Sequence, residues 1–309
     1  MLSLPHFAAP SAALPVRYPD AGTAAGVARR PPQAMRQPSI DGYRLGRMIG
    51  EGRSATIYLA DDHRRGGKVA LKVLKASHGD SETIRQWFAA ECAILSSIRH
   101  EHVVRVFEHR AAGDPRYLAM EHLGAGSLRD RMRRGFSPGQ AASLLRQAAA
   151  GLAQVHRRAV VHRDVKPENF LMRSSGELVL IDFGVAAGQG DTASRVPAGR
   201  MVGTACYAAP EQAQGDSPSA AADVYSLGIV FYEMLRGRRP FAGKTVLEVL
   251  SQHLVASVPR LPETLAPYQL LVDRMLDKRP QRRLPDADAV LQETRSLEPA
   301  AMDMAPTPS

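Results

Sequence analysis

One spacing restricts this chain more than any other. Asp164 and Asp182 are separated by a small hairpin, Phe170-Leu171-Met172 and Leu178-Val179-Leu180, turned by Ser174-Ser175-Gly176. Two apolar triplets joined through Ser-Ser-Gly read as short paired strands. A hairpin this short fixes its two flanks at one cleft. The first flank runs His162-Arg163-Asp164-Val165-Lys166-Pro167-Glu168-Asn169, and the second is Asp182-Phe183-Gly184. A carboxylate, an ammonium and an amide therefore lie within six residues, and a second carboxylate stands beside a glycine.

These are the groups that phosphoryl transfer needs, because its catalysis rests on orienting the acceptor hydroxyl and neutralising oxygens rather than on covalent help from protein. The two segments resemble the catalytic-loop and Asp-Phe-Gly signatures of the eukaryotic-type (Hanks-type) protein kinases. Lys166, two residues after Asp164, resembles the Ser/Thr branch, and the chain is most like its compact soluble bacterial members. The resemblance implies that Asp164 orients the substrate hydroxyl and accepts its proton, while Lys166 neutralises the transferring phosphoryl. It assigns Asn169 and Asp182 to Mg²⁺, with Mn²⁺ as the alternative ion, and makes Arg163 the receiver of an activation-loop phosphate.

Upstream, Tyr43 to Glu51, Thr56 to Asp61 and Lys68 to Leu74 read as three strands, the last two joined by Arg64-Arg65-Gly66-Gly67. Gly50-Glu51-Gly52-Arg53-Ser54-Ala55 lies between the first two. Glycines let a backbone close over phosphates, although many plain hairpins carry them for turn geometry alone. Its place inside a hairpin excludes a dinucleotide-binding fold, and Val69-Ala70-Leu71-Lys72 follows at kinase spacing. Ala55 stands where the family has a third glycine. A helix capped by Asp80 or Ser81 runs to about Ile98, with Ile84, Trp87, Phe88, Ile94, Leu95 and Ile98 on its apolar face. Glu91 shares that stripe, where a carboxylate is costly unless paired. By resemblance it pairs with Lys72 to hold the phosphates of ATP.

Val103 to His109 and Tyr117 to Glu121 complete a five-stranded sheet, and Met120-Glu121-His122-Leu123-Gly124 aligns with the adenine-gripping hinge. The implied nucleotide site is Ile49, Gly50, Glu51, Gly52, Ile57, Ala70, Lys72, Met120, Glu121, Leu123 and Leu171. Ser137-Pro138 opens a long helix to Arg157, with Ser as cap and Pro in its first turn. Gly203 to Glu211 resembles the family's substrate-docking segment, and Glu211 is expected to pair with Arg282. By resemblance Asp223 braces the catalytic-loop backbone, while on sequence alone it reads equally well as a cap of the apolar helix Val224 to Arg236, which Gly237 closes. Further helices are expected at Val246 to His253, Leu265 to Leu276 and Pro285 to Thr294. Between Gly184 and Gly203 the hydroxyls are Thr192 and Ser194, the candidates for autophosphorylation; Thr204 follows as a structural hydroxyl or a switch.

The sequence of 309 residues, 44% hydrophobic, suffices for one large domain. Its net charge of +9 comes mostly from arginine, which reads as a solvated surface and basic arm, or as a docking surface for acidic partners. No interleaved aromatic and basic residues suggest nucleic acid. No apolar run approaches the ~18 residues of a membrane span. The N-terminus lacks a basic leader and is broken by Pro5, Pro10 and Pro15, against a secretory signal. Cys92 and Cys206 form no motif; both read as small apolar residues in a reducing cytoplasm, with Cys206 also a candidate redox site.

The expected fold class is α+β: a bilobal kinase fold with a small five-stranded antiparallel lobe carrying one main helix (about 43–121) and a mostly helical lobe (about 124–295). Residues 1–40 read as a disordered Ala/Pro/Arg-rich arm, serving as a linker, a docking arm or an autoinhibitory segment, and 296–309 as a disordered tail. The implied activity is ATP-dependent phosphorylation of protein Ser/Thr hydroxyls in bacterial-type signalling. The rivals are a scaffold with a disabled site, which would need a broken catalytic residue, and a small-molecule phosphotransferase, which would not need the docking segment.

Overall fold

A computed structural model describes residues 38–52, 54–75, 81–184, 186–188, 205–217 and 219–295. The expectations for the N-terminal arm before residue 38, Asp80, Thr192, Ser194, Thr204 and the tail after 295 lie outside them.

Strands β1 (Tyr43–Glu51), β2 (Ala55–Asp62), β3 (Lys68–Leu74), β4 (Val106–Arg110) and β5 (Tyr117–Glu121) form one antiparallel sheet in the order β1-β2-β3-β5-β4. The two-residue period of β3 decides what the cleft receives. Val69, Leu71 and Val73 pack into a small core with Ile40, Tyr43 and Tyr117 on one face. Ala70 and Leu74 join the main core on the other, so Lys72 is a lysine set on an inward-facing apolar row. β4 starts later than the expected Val103 because Val103 bridges to Leu180 and the Val104 N–H donates to the Leu180 carbonyl at 3.0 Å.

Helix α1 (Glu82–Ser97) buries Phe88, Glu91, Cys92 and Leu95. Its N-cap Ser81 makes no side-chain cap bond. Trp87, expected on the apolar face, is 38% exposed, because the buried stripe runs through Phe88, Glu91 and Leu95 and leaves it at the rim.

The second lobe holds α2 (Leu128–Met132), α3 (Pro138–His156), α4 (Pro210–Gln214), α5 (Ala220–Arg236), α6 (Val246–Val255), α7 (Gln269–Met275) and α8 (Ala287–Arg295). Ser137 caps α3 in a reciprocal box with Gln140. Within α3, a Cβ on Gly151 would stand 2.5 Å from the His102 carbonyl oxygen, so glycine lets the helix approach the loop between α1 and β4. Helix α5 is buried without a break from Ala221 to Met234, the pattern of a central core helix. It stops at Gly237, whose φ of 66° is the left-handed C-cap geometry. The helix expected at Leu265 to Leu276 is split: a 3₁₀ segment, Glu263–Tyr268, precedes α7, because Pro267 offers no N–H for a regular turn.

The architecture is α+β and bilobal, with a five-stranded antiparallel sheet and α1 in one lobe and the remaining helices in the other. Among the described residues, no helix is long and apolar enough to cross a membrane.

Candidate active site

The hairpin of β6 (Phe170–Met172) and β7 (Leu178–Leu180) forms as the spacing demands, pairing Phe170 with Leu180. It sets Asn169 and Asp182 side by side: the Ile181 N–H donates to the Asn169 carbonyl at 2.9 Å. Asp182 takes a left-handed φ of 59°, a conformation that aspartate tolerates better than most residues. Its Oδ1 accepts the Gly184 N–H at 3.2 Å and the Lys72 ammonium at 3.1 Å.

Lys72 also pairs with Glu91 of α1, and the two side chains are 13% and 4% exposed. Burial works against the lysine charge, but Asp182 and Glu91 overcome it and hold its pKa above the ordinary value. Burial pushes the Glu91 carboxyl upward, against the pull of Lys72. Glu91 is thus a buried, paired carboxylate and not a solvated residue at the border of the apolar stripe.

On the catalytic loop, Asp164 is 3% exposed. Its carboxylate accepts the Lys166 ammonium at 2.9 and 2.8 Å and the Asn169 amide at 3.0 Å. Asn169 also donates to the Asp164 carbonyl at 2.7 Å, so its amide nitrogen faces Asp164 and its oxygen remains to ligate a cation.

The loop is held from below by Asp223. Its carboxylate accepts the backbone N–H groups of His162 at 2.7 Å and Arg163 at 2.8 Å. His156 Nε2 lies 3.0 Å from the same carboxylate, and its Nδ1 accepts the Ala287 N–H at 3.2 Å, so the ring proton is on Nε2 and donates to Asp223. Since α5 begins at Ala220, Asp223 lies inside the first turn and does not cap it. The His162 ring meets Phe183 edge-on at 4.9 Å between centroids, which joins the loop to the Asp182-Phe183-Gly184 segment.

A cavity of about 580 Å³ runs from Met120, Glu121 and Leu123 past Lys72, Glu91, Asn169 and Asp182 to Ile84 and Trp87 of α1. Of the expected nucleotide-site residues, Ile49, Gly52, Ile57, Ala70, Met120, Glu121, Leu123 and Leu171 line it along with Lys72. Gly50 and Glu51 do not; Glu51 turns outward to the Lys75 ammonium at 2.7 Å. Val104 and Ile181 also line the cavity and were not foreseen, although Ile181 directly precedes Asp182. Ala55 is buried, and its carbonyl accepts the Gly52 N–H at 2.9 Å, closing the turn without a third glycine.

Two features of the substrate side differ from or extend the sequence reading. Glu211 pairs with Arg283 at 2.7 and 3.1 Å, not with Arg282, which is exposed. The 3₁₀ turn Pro280–Arg282 shifts the inward-facing position by one residue. Arg129 of α2, which sequence reasoning missed, bridges Glu168 of the catalytic loop at 2.8 Å and Glu233 of α5 at 2.9 Å, and also bonds Tyr207. Arg163 is buried, while Thr192, Ser194 and Thr204 lie outside the described residues.

A cleft between a sheet lobe and a helical lobe, with a lysine–carboxylate pair on one wall and a carboxylate–lysine–amide loop on the other, is the architecture of the protein-kinase fold. The chain belongs to the protein kinase domain family, whose model matches residues 43–294. It is 39% identical over 257 residues to the serine/threonine-protein kinase PknA of Corynebacterium glutamicum, covering 80% of this chain and 54% of that protein. It is 36% identical over 278 residues to PknA of Mycobacterium tuberculosis (86% of this chain, 64% of that protein). It is 38% identical over 268 residues to pkn2 of Myxococcus xanthus (81% and 32%). The chain thus spans from 32% to 64% of the length of these relatives. The family uses ATP and a divalent metal ion.

Proposed function

We propose that this chain is a protein-serine/threonine kinase that transfers the γ-phosphoryl group of ATP to protein hydroxyls. The observation that carries the reading is the convergence of Lys72 on both Glu91 and Asp182, across the cleft from Asp164, Lys166 and Asn169. In this reading Lys72 holds the nucleotide phosphates and Glu91 fixes Lys72. Asp164 orients the acceptor hydroxyl and takes its proton, while Lys166 screens the charge of the transferring group. Asn169 and Asp182 are hard oxygen donors suited to Mg²⁺, with Mn²⁺ as the alternative, and would hold it at the phosphates. The bound ion supplies charge neutralisation on the phosphate oxygens.

Autophosphorylation at Thr192 or Ser194, read out by Arg163, and a cytoplasmic signalling role belong to the same proposal. So does a docking function for the basic residues 1–40. Names of the relatives support Ser/Thr specificity.

The test is incubation with labelled ATP and Mg²⁺, comparing wild type, Asp164→Asn and Lys72→Met, followed by phosphosite mapping. Label on Ser or Thr in the wild type and none in either variant is the expected result. Folded protein that binds ATP but carries no label, alone or with a generic substrate, overturns the reading in favour of a nucleotide-binding scaffold.

A further inference from the structure

Two loops of the helical lobe carry more cations than carboxylates. The connection between α5 and α6 holds Arg238, Arg239 and Lys244, and the connection between α7 and α8 holds Lys278, Arg279 and Arg282. The loops meet at Phe241, whose ring centroid lies 4.1 Å from the Lys278 ammonium. The other contacts of Lys278 are with neutral groups, the Tyr225 hydroxyl at 3.2 Å and the Gln252 carbonyl at 3.4 Å. Among the described residues, none of these six side chains enters an ion pair.

The nearby acids are fewer than the cations, and the bonds they make are to backbone N–H groups or to a buried partner, so the face keeps a net positive charge. Asp277 accepts the Arg279 N–H at 2.8 Å, Glu248 accepts the Lys244 N–H at 2.7 Å, and Glu211 is buried against Arg283. Burial, with the charge of Arg283, lowers the Lys278 pKa to about 8, and burial with Lys278 and Arg239 lowers that of His253 to about 4. This face borders the expected substrate-docking segment: the Ser226 hydroxyl, next to Tyr225, donates to the Tyr207 carbonyl at 2.7 Å. Leu247, three residues beyond Lys244, is 77% exposed at the start of α6.

We propose that this face docks an acidic stretch of the protein substrate, with Arg239, Lys244 and Arg279 meeting its carboxylates and Leu247 giving an apolar contact at the edge. The inference rests on the protein-kinase reading above. Arginine and lysine presented together attract carboxylates at long range and hold them by charge-assisted bonds at short range. A nucleic acid fits less well, because the aromatic ring of the face, Phe241, is 2% exposed and offers no stacking platform.

The test uses two fluorescein-labelled peptides that share one threonine and differ in a tail of glutamates or glutamines. Binding is followed by anisotropy without ATP and phosphorylation by initial rates with it, on wild type and on Arg239→Gln/Lys244→Gln/Arg279→Gln. The glutamate tail is expected to tighten binding and lower KM roughly fivefold. The triple substitution abolishes the difference, as does salt at about 0.5 M. The kcat on the glutamine peptide stays unchanged. Equal binding of both peptides, or a glutamate preference that survives the substitutions, overturns the proposal. So does a triple variant that loses affinity only for an oligonucleotide or for phosphatidylserine vesicles. Tail-dependent binding without phosphorylation of either peptide would instead sink the kinase reading and leave the docking face standing.

Discussion

The Asp223 carboxylate accepts the backbone N–H of Arg163 at 2.8 Å, and Arg163 holds a φ of 66°, in the left-handed region that a long side chain seldom adopts. Together with its bond to the His162 N–H, this contact fixes the backbone turn that presents Asp164. Asparagine at position 223 keeps one acceptor oxygen but points an N–H₂ at a donor. Asp223→Asn is expected to cost about 2–3 kcal/mol in folding stability, the range for a buried charged hydrogen bond. It should lower kcat well beyond any change in ATP affinity. Chemical denaturation and steady-state kinetics check both; an unchanged kcat would mean that the loop holds its shape without Asp223.

Lys72 and Glu91 separate scaffolding from chemistry. Lys72→Met strands a buried carboxylate, at an expected cost on the order of 3 kcal/mol. Adding Glu91→Leu removes the stranded charge and should return most of that stability, while phosphoryl transfer remains absent. Urea titrations of the three proteins beside a labelled-phosphate assay decide it. A double variant no more stable than Lys72→Met alone would place the loss outside the pair.

The catalytic hairpin, the Lys72 strand and the capped α3 were legible because each has a local signal: a short turn, a two-residue period, a Ser-Pro helix start. Three things were not. The bridge made by Arg129 joins groups 39 and 104 residues away, which no local pattern announces. Asp223 reads equally as a cap or a brace until the helix start at Ala220 removes the first option. Arg282 and Arg283 are adjacent and chemically identical, so the choice between them depends on a 3₁₀ turn, whose tighter winding turns Arg283 inward.

That choice has a direct test. Arg283 is fully buried and its guanidinium also donates to the Ala221 carbonyl at 2.7 Å, so Arg283→Ala leaves the Glu211 carboxylate unpaired. The expected loss is about 3–5 kcal/mol. Arg282→Ala, at an exposed position, should stay within about 0.5 kcal/mol of wild type. Thermal melts of the two variants compare them directly, and an equal effect at both positions would refute the assigned pair.

His253 gives the fold a defined acid sensitivity. Its ring is fully buried, with Nδ1 3.0 Å from the Tyr225 hydroxyl and Phe241 packed edge-on at 5.0 Å. Burial, then the charges of Lys278 and Arg239, lowers its pKa from the ordinary 6.5 to about 4. Between those values the unfolded chain binds a proton that the folded chain refuses, so stability falls as pH drops through this window and is fully present above it. The depression corresponds to about 3 kcal/mol, all of it lost below pH 4. Carboxylates titrate in the same range, so the measurement is a difference: stability against pH for wild type and His253→Gln. The variant is expected to show a shallower decline from pH 6.5 to 4. Lys278→Met, which removes one of the two facing cations, should move the wild-type inflection to higher pH. Parallel curves for wild type and His253→Gln would assign the acid sensitivity to other groups.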